Sequence, residues 1–167
     1  PIDLAHGVLL HSPHILIAGE GAQIFAEKQN IPVKPLRDPG EIKTHPDKRP
    51  SACDTVGAVA FDGTTFAAAL SSGGLPMAAI GRVGDVPLPG CGLFCGSAGT
   101  VACTGDGEAI ALKIMAKEVY SWLEQNISPD EAAQKAMKLL DDSIDFGLII
   151  LTKKGFAAHA RNGMAWS

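Results

Sequence analysis

Thr55 stands where a proline-rich, charged stretch gives way to alternating apolar residues, in the run Asp54-Thr55-Val56-Gly57. A threonine hydroxyl is a poor nucleophile unless a base lies beside it. The nearest base is the residue's own α-amine, set free only if the Asp54–Thr55 bond is broken. An α-amine titrates near ~7.7–8.0 against ~10.4 for lysine, so at neutral pH a useful fraction can accept the hydroxyl proton. One residue would then supply both nucleophile and base. The same hydroxyl could first attack the Asp54 carbonyl, giving an ester that water opens. The plain alternative is that Thr55 only begins a strand, where threonine is common.

Arg82 and Asp85, in Gly81-Arg82-Val83-Gly84-Asp85, suit an amino-acid ligand. A guanidinium grips an α-carboxylate bidentately, and a carboxylate pairs with the α-ammonium. The bland counterpart is a surface ion pair holding a glycine-rich loop, worth little stability. Thr104-Gly105-Asp106-Gly107-Glu108 reads as a turn into a helix, with Glu108 favoured by the helix dipole and Gly107 able to bring backbone close to a substrate. Cys53, Cys91, Cys95 and Cys103 lack the paired spacing of a zinc site and read as free thiols. A Cys53 nucleophile paired with His6, His11, His14, His45 or His159 has no support from spacing.

These residues need elements to hold them. Ile2 to Ile17 reads as a helix followed by a short strand around Ile15–Ala18, separated by Pro13, and Ala22–Gln29 as a second helix. Between Ile31 and Ser51 five prolines, at 32, 35, 39, 46 and 50, mark a solvated linker. Val56, Ala58 and Ala60 share one side of a strand, Asp62-Gly63 offers a two-residue turn, and Thr64–Leu70 runs back as a hairpin. Glycine is dense from Ser71 to Gly107, with a strand at Thr100–Cys103. A helix follows from Glu108 to about Gln125, with Ile110, Ile114, Val119, Trp122 and Leu123 on its apolar face. Ser128-Pro129-Asp130-Glu131 caps the start of another. Phe146–Leu151 and Phe156–Ala160 close the chain as a hairpin. The sum is a layered α+β domain whose helices cover a mostly antiparallel sheet.

Composition narrows the function classes. At 167 residues, 46 % apolar and 19 % charged, the chain has the profile of one ordinary globular domain. A net charge of −4 leaves no basic stripe for nucleic acid, and the apolar runs fall short of the ~20 residues of a membrane span. A small polar metabolite in a cytoplasmic setting is the expected partner. The start at Pro1, without an initiator methionine, suggests sequence upstream.

Four runs in order, Asp54-Thr55-Val56-Gly57, Ser71-Ser72-Gly73-Gly74, Gly81-Arg82-Val83-Gly84-Asp85 and Thr104-Gly105-Asp106-Gly107-Glu108, resemble the threonine-dependent, plant-type asparaginase and isoaspartyl peptidase family of N-terminal-nucleophile hydrolases. The resemblance extends back through Ser12-Pro13-His14 and Gly19-Glu20-Gly21-Ala22 and forward to the closing hairpin. It implies an αββα four-layer sandwich whose N-terminal portion lies upstream of this sequence. Residues 1–54 would be the end of an α subunit, with its linker at about 31–54, and 55–167 the β subunit, together one domain. It implies self-cleavage at Asp54–Thr55, Thr55 as nucleophile, and Thr104 hydroxyl with Gly105 N–H as oxyanion donors. Arg82 and Asp85, with Gly105 and Gly107, would bind substrate.

Ser72 matches a position usually threonine, whose hydroxyl steadies the nucleophile. Losing the methyl predicts a looser and slower site. Leu75-Pro76-Met77-Ala78-Ala79 also departs from the family's polar stretch. The family's alkali-metal loop would fall upstream, so no metal ligand and no cofactor is expected here. The implied activity is hydrolysis of L-asparagine and β-aspartyl dipeptides by a homodimer of cleaved protomers. The alternatives are a glycosylasparaginase-like leaving group, with a wider pocket beside Met77, and an inert, uncleaved relative serving as a binding module.

Overall fold

A computed structural model describes residues 1–33, 55–75 and 78–161. By its contacts the chain divides into two compact units, Pro1–Ser51 and Ala52–Ser167.

The first unit holds α1 (Ile2–His11) and α2 (Glu20–Lys28). Ala26 is fully buried in it. Gly7 of α1 sits where an added Cβ would come within 3.2 Å of Ile31 and 3.6 Å of Phe25, so the helix and the α2 region touch at a position without a side chain. The strand expected around Ile15–Ala18 is absent: those residues form irregular backbone, and Ile15 is exposed. A strand needs a partner to satisfy its backbone, and an apolar run alone provides none.

The second unit begins with β1 (Val56–Phe61) and β2 (Phe66–Ser71), paired antiparallel from Val56↔Ser71 to Phe61↔Phe66. Their turn is longer than the two residues expected. Asp62 to Thr65 form it, with both Thr64 N–H and Thr65 N–H donating to Asp62 Oδ1 at 2.7 Å. One backbone bond spans the turn, Asp62 N–H donating to Thr65 O at 3.3 Å, and the aspartate side chain takes the Thr64 and Thr65 amides. Next come β3 (Leu93–Gly96), β4 (Gly99–Gly105), β5 (Phe146–Thr152) and β6 (Gly155–Ala160), an antiparallel sheet in the order β3-β4-β5-β6.

Alternation assigns the faces of this sheet. Val101 and Cys103 of β4, Leu148 and Ile150 of β5 and Ala157 of β6 share a core with α4 (Met115–Glu124) and α5 (Pro129–Met137). Ala102 and Thr104 point the other way, toward the β1–β2 hairpin: an added Cβ at Gly57 would meet Ala102 Cβ at 3.9 Å. The unit is therefore hairpin, sheet and helices in layers. Val56, Ala58 and Ala60 do share a side, and it is the exposed one. The inner side carries Gly57, Val59 and Phe61, with Phe61 stacked on Phe66 at 4.3 Å.

The single helix expected from Glu108 to Gln125 is two. Between α3 (Gly107–Lys113) and α4, Ile114 takes a left-handed conformation at φ 47, ψ 49. The break frees the first amides of α4, and they are used: Ala116 N–H donates to Cys91 O at 3.1 Å and Lys117 N–H to Gly90 O at 2.8 Å. Asp106 caps α3 by accepting from Ala109 N–H at 2.8 Å, and Ser128 caps α5 by accepting from Glu131 N–H at 3.3 Å. Among the described residues no helix is long and apolar enough to cross a membrane.

Candidate active site

Thr55 and Ser72 lie one residue beyond the Val56↔Ser71 rung, so the hairpin register sets them opposite one another. Thr55 is half-buried and Ser72 exposed. The Ser72 hydroxyl accepts from Gly74 N–H at 3.0 Å, closing a local turn while leaving its own proton to donate elsewhere. Ser72 also lines an open cleft of about 330 Å³ with Gly74, Arg82, Gly84, Asp85 and Pro87. Asp54, Cys53, His45 and Met77 lie outside the described residues.

Asp85 is buried, 6 % exposed. Its carboxylate is wedged against bare glycines: an added Cβ at Gly92 would come within 2.8 Å of Oδ2, and one at Gly107 within 2.9 Å of Oδ1. Its own carbonyl anchors the loop by accepting from Leu88 N–H and Gly92 N–H, each at 3.1 Å. Oδ2 has no hydrogen-bond partner among the described residues. Burial pushes the Asp85 pKa up, opposed by hydrogen bonds from its own and neighbouring amides and by the Arg82 charge.

Arg82 does not pair with Asp85. Its Nε donates to Glu108 Oε1 at 2.8 Å and its Nη2 to Glu108 Oε2 at 2.6 Å, a bidentate fork. That hydrogen bond is the main reason the Arg82 pKa is raised and the Glu108 pKa lowered. Sequence reading missed this role of Glu108. The available signal was its place in the first turn of α3, two residues beyond the cap that ends β4.

Thr104 lies on the hairpin-facing side of β4, opposite Gly147, and its buried Oγ1 has no partner among the described residues. Gly105, at φ 141, must be glycine: an added Cβ would stand 2.1 Å from Asp145 O. Gly107 is buried, and its missing Cβ leaves the space shared by Arg82 Nη2 and Asp85 Oδ1. Cys91 and Cys103 are buried free thiols whose pKa values burial raises, so neither is poised as a thiolate.

The fold and this cleft thus bring Arg82, Asp85, Gly107 and Ser72 to one place, set Thr55 beside Ser72, and turn Thr104 toward the hairpin. Residues 35–167 match the family model described as Asparaginase. The chain belongs to that asparaginase family. It is 30 % identical to the plant-type L-asparaginase of Pyrococcus abyssi (strain GE5 / Orsay), over 97 % of this chain and 61 % of the relative. The isoaspartyl peptidase/L-asparaginase of Danio rerio is 33 % identical over 100 % of this chain and 60 % of its own length. That of Mus musculus is 34 % identical over 100 % and 57 %. This asparaginase-family chain therefore spans about three fifths of the length of the curated relatives it matches.

Proposed function

We propose that the protein is an autoprocessed amidohydrolase that cleaves the side-chain amide of L-asparagine and the isopeptide bond of β-aspartyl dipeptides. The observation that carries this reading is the buried Asp85 carboxylate, whose Oδ2 has no hydrogen-bond partner among the described residues, in a cleft that it shares with Arg82 and Ser72. Relatives named as asparaginases and isoaspartyl peptidases support it. In the four-layer sandwich this entails, the outer helical layer would cover the exposed side of β1, and cleaved protomers would assemble as dimers.

The substrate's α-carboxylate goes to Arg82 and its α-ammonium to Asp85, which leaves the side-chain carbonyl to face Thr55. Thr55 Oγ attacks that carbonyl as its proton passes to the residue's own freed amine. The oxyanion accepts hydrogen bonds from the Thr104 hydroxyl and the Gly105 N–H, donors that need no rearrangement as the charge develops. Collapse expels ammonia or an amino acid, protonated from the Thr55 ammonium. Water, deprotonated by the same amine, then opens the β-aspartyl ester and releases aspartate.

Intact mass tests the first step. The purified chain is expected to resolve into fragments 1–54 and 55–167, the second starting with threonine, and Thr55→Ala to stay whole. A parent chain that remains single through prolonged incubation would sink the reading. Ammonia release from asparagine and from β-aspartyl dipeptides then tests the substrate class.

A further inference from the structure

We propose that Glu108 is a positioning residue for substrate: by occupying the side-on edge of the Arg82 guanidinium, it commits the end-on edge to an incoming α-carboxylate. The inference rests on the amino-acid-ligand reading above and adds the residue that sets its geometry. A guanidinium offers two edges that can each receive a carboxylate bidentately, one formed by Nε with Nη2 and one by Nη1 with Nη2. Glu108 takes the first, at 2.8 and 2.6 Å. The second is left for a ligand.

That edge is kept clear by glycines. An added Cβ at Gly84 would stand 2.7 Å from Nη1, and one at Gly107 would stand 2.8 Å from Nη2. The same point above Gly107 is 2.9 Å from Asp85 Oδ1, so the open end of the cation and the buried carboxylate border one small space. A zwitterion fits such a space, its carboxylate on Nη1 and Nη2 and its ammonium on Asp85.

Without Glu108 the guanidinium is free to turn, and its end-on edge no longer faces the space beside Asp85. The Arg82 side chain is 18 % exposed and that of Glu108 56 %. A pair so open to water adds little stability. What it supplies is direction. Glu108 can hold that direction because its backbone is fixed in the first turn of α3, behind the Asp106 cap.

Calorimetric titration of the full chain with L-aspartate and with β-alanine, which lacks only the α-carboxylate, tests this. In Glu108→Ala the aspartate affinity is expected to fall about tenfold. Glu108→Gln, whose carbonyl still accepts one N–H, should recover part of it, and keeps the test usable should the alanine variant fail to fold. β-Alanine affinity should move less than about twofold in either variant, because it makes no use of the edge that Glu108 orients. Equal losses for both ligands, or an unchanged aspartate affinity in Glu108→Ala, would overturn the proposal. In the ammonia assay the expected signature is a raised KM with kcat nearly unchanged; a fall confined to kcat would also overturn it. A parent that binds aspartate but releases no ammonia counts against the amidohydrolase reading and leaves the positioning role intact.

Discussion

Asp85 Oδ2 and Thr104 Oγ1 are the buried side-chain oxygens without a hydrogen-bond partner among the described residues. A folded chain normally satisfies such groups, because leaving one bare costs about 1–3 kcal/mol. Thr104→Val keeps the shape and removes the bare hydroxyl. Its stability should therefore stay within about 1 kcal/mol of the parent or rise, whereas kcat should fall about 10²-fold or more as an oxyanion donor is lost. Paired urea melts and ammonia-release rates check both halves. A matched loss in both would mean that the hydroxyl serves the fold. The residue types were legible in sequence because the chemistry demands them: a hydroxyl, a fork-shaped cation, a carboxylate. The partner of the cation was not. Glu108 lies far from Arg82 along the chain, and no spacing rule says which of Asp85, Asp106 or Glu108 the guanidinium will meet.

At the scale of elements, periodicity located the hairpin, the closing strands and the α5 cap, all of which depend on neighbours in sequence. It failed where one element answers to another. Apolar spacing runs unbroken through Ile110, Val119, Trp122 and Leu123, so nothing local reports the left-handed Ile114 between them. The break is set by the loop at Gly90–Cys91, which claims the Ala116 and Lys117 amides. β3 escaped notice for a similar reason: four residues ending in Gly96 become a strand only because β4 lies beside them. The helix break thereby ties α4 to the same loop that carries Asp85 and Gly92. A β-branched residue pays heavily for the left-handed region, and Ile114 is 52 % exposed, so its side chain returns little by packing. Ile114→Gly should raise the free energy of unfolding by about 1 kcal/mol, read from urea melts, with the fold unchanged. A lower stability would show that the Ile114 contact over Gly90 outweighs the backbone strain.

For the whole molecule, the buried carboxylate sets how stability follows pH. Because burial raises the Asp85 pKa, the folded chain holds that proton more tightly than the unfolded chain does. Its contribution is complete below the ordinary aspartate value and is lost as pH rises through the raised one. At neutral pH the ionised carboxylate therefore opposes folding. Asp62 and Asp141, held low chiefly by a Thr65 amide and the Ser143 hydroxyl, act in the opposite sense, and their contributions are lost as pH falls through their depressed values. Asp85→Asn should accordingly unfold about 1 kcal/mol later than the parent near pH 7. That gap should narrow near pH 4, while aspartate binding is abolished at both. Melts at the two pH values decide it; a gap that does not change with pH would remove Asp85 from this account. The hairpin register carries a different consequence. Its ladder holds every residue from Val56 to Phe61, so a chain that starts at Thr55 is free for a single residue, a leash of about 3.3 Å. On so short a leash a chain end made at Thr55, whose amine and hydroxyl sit on that one residue, would keep both beside Ser72, placed there by the sheet and not by diffusion.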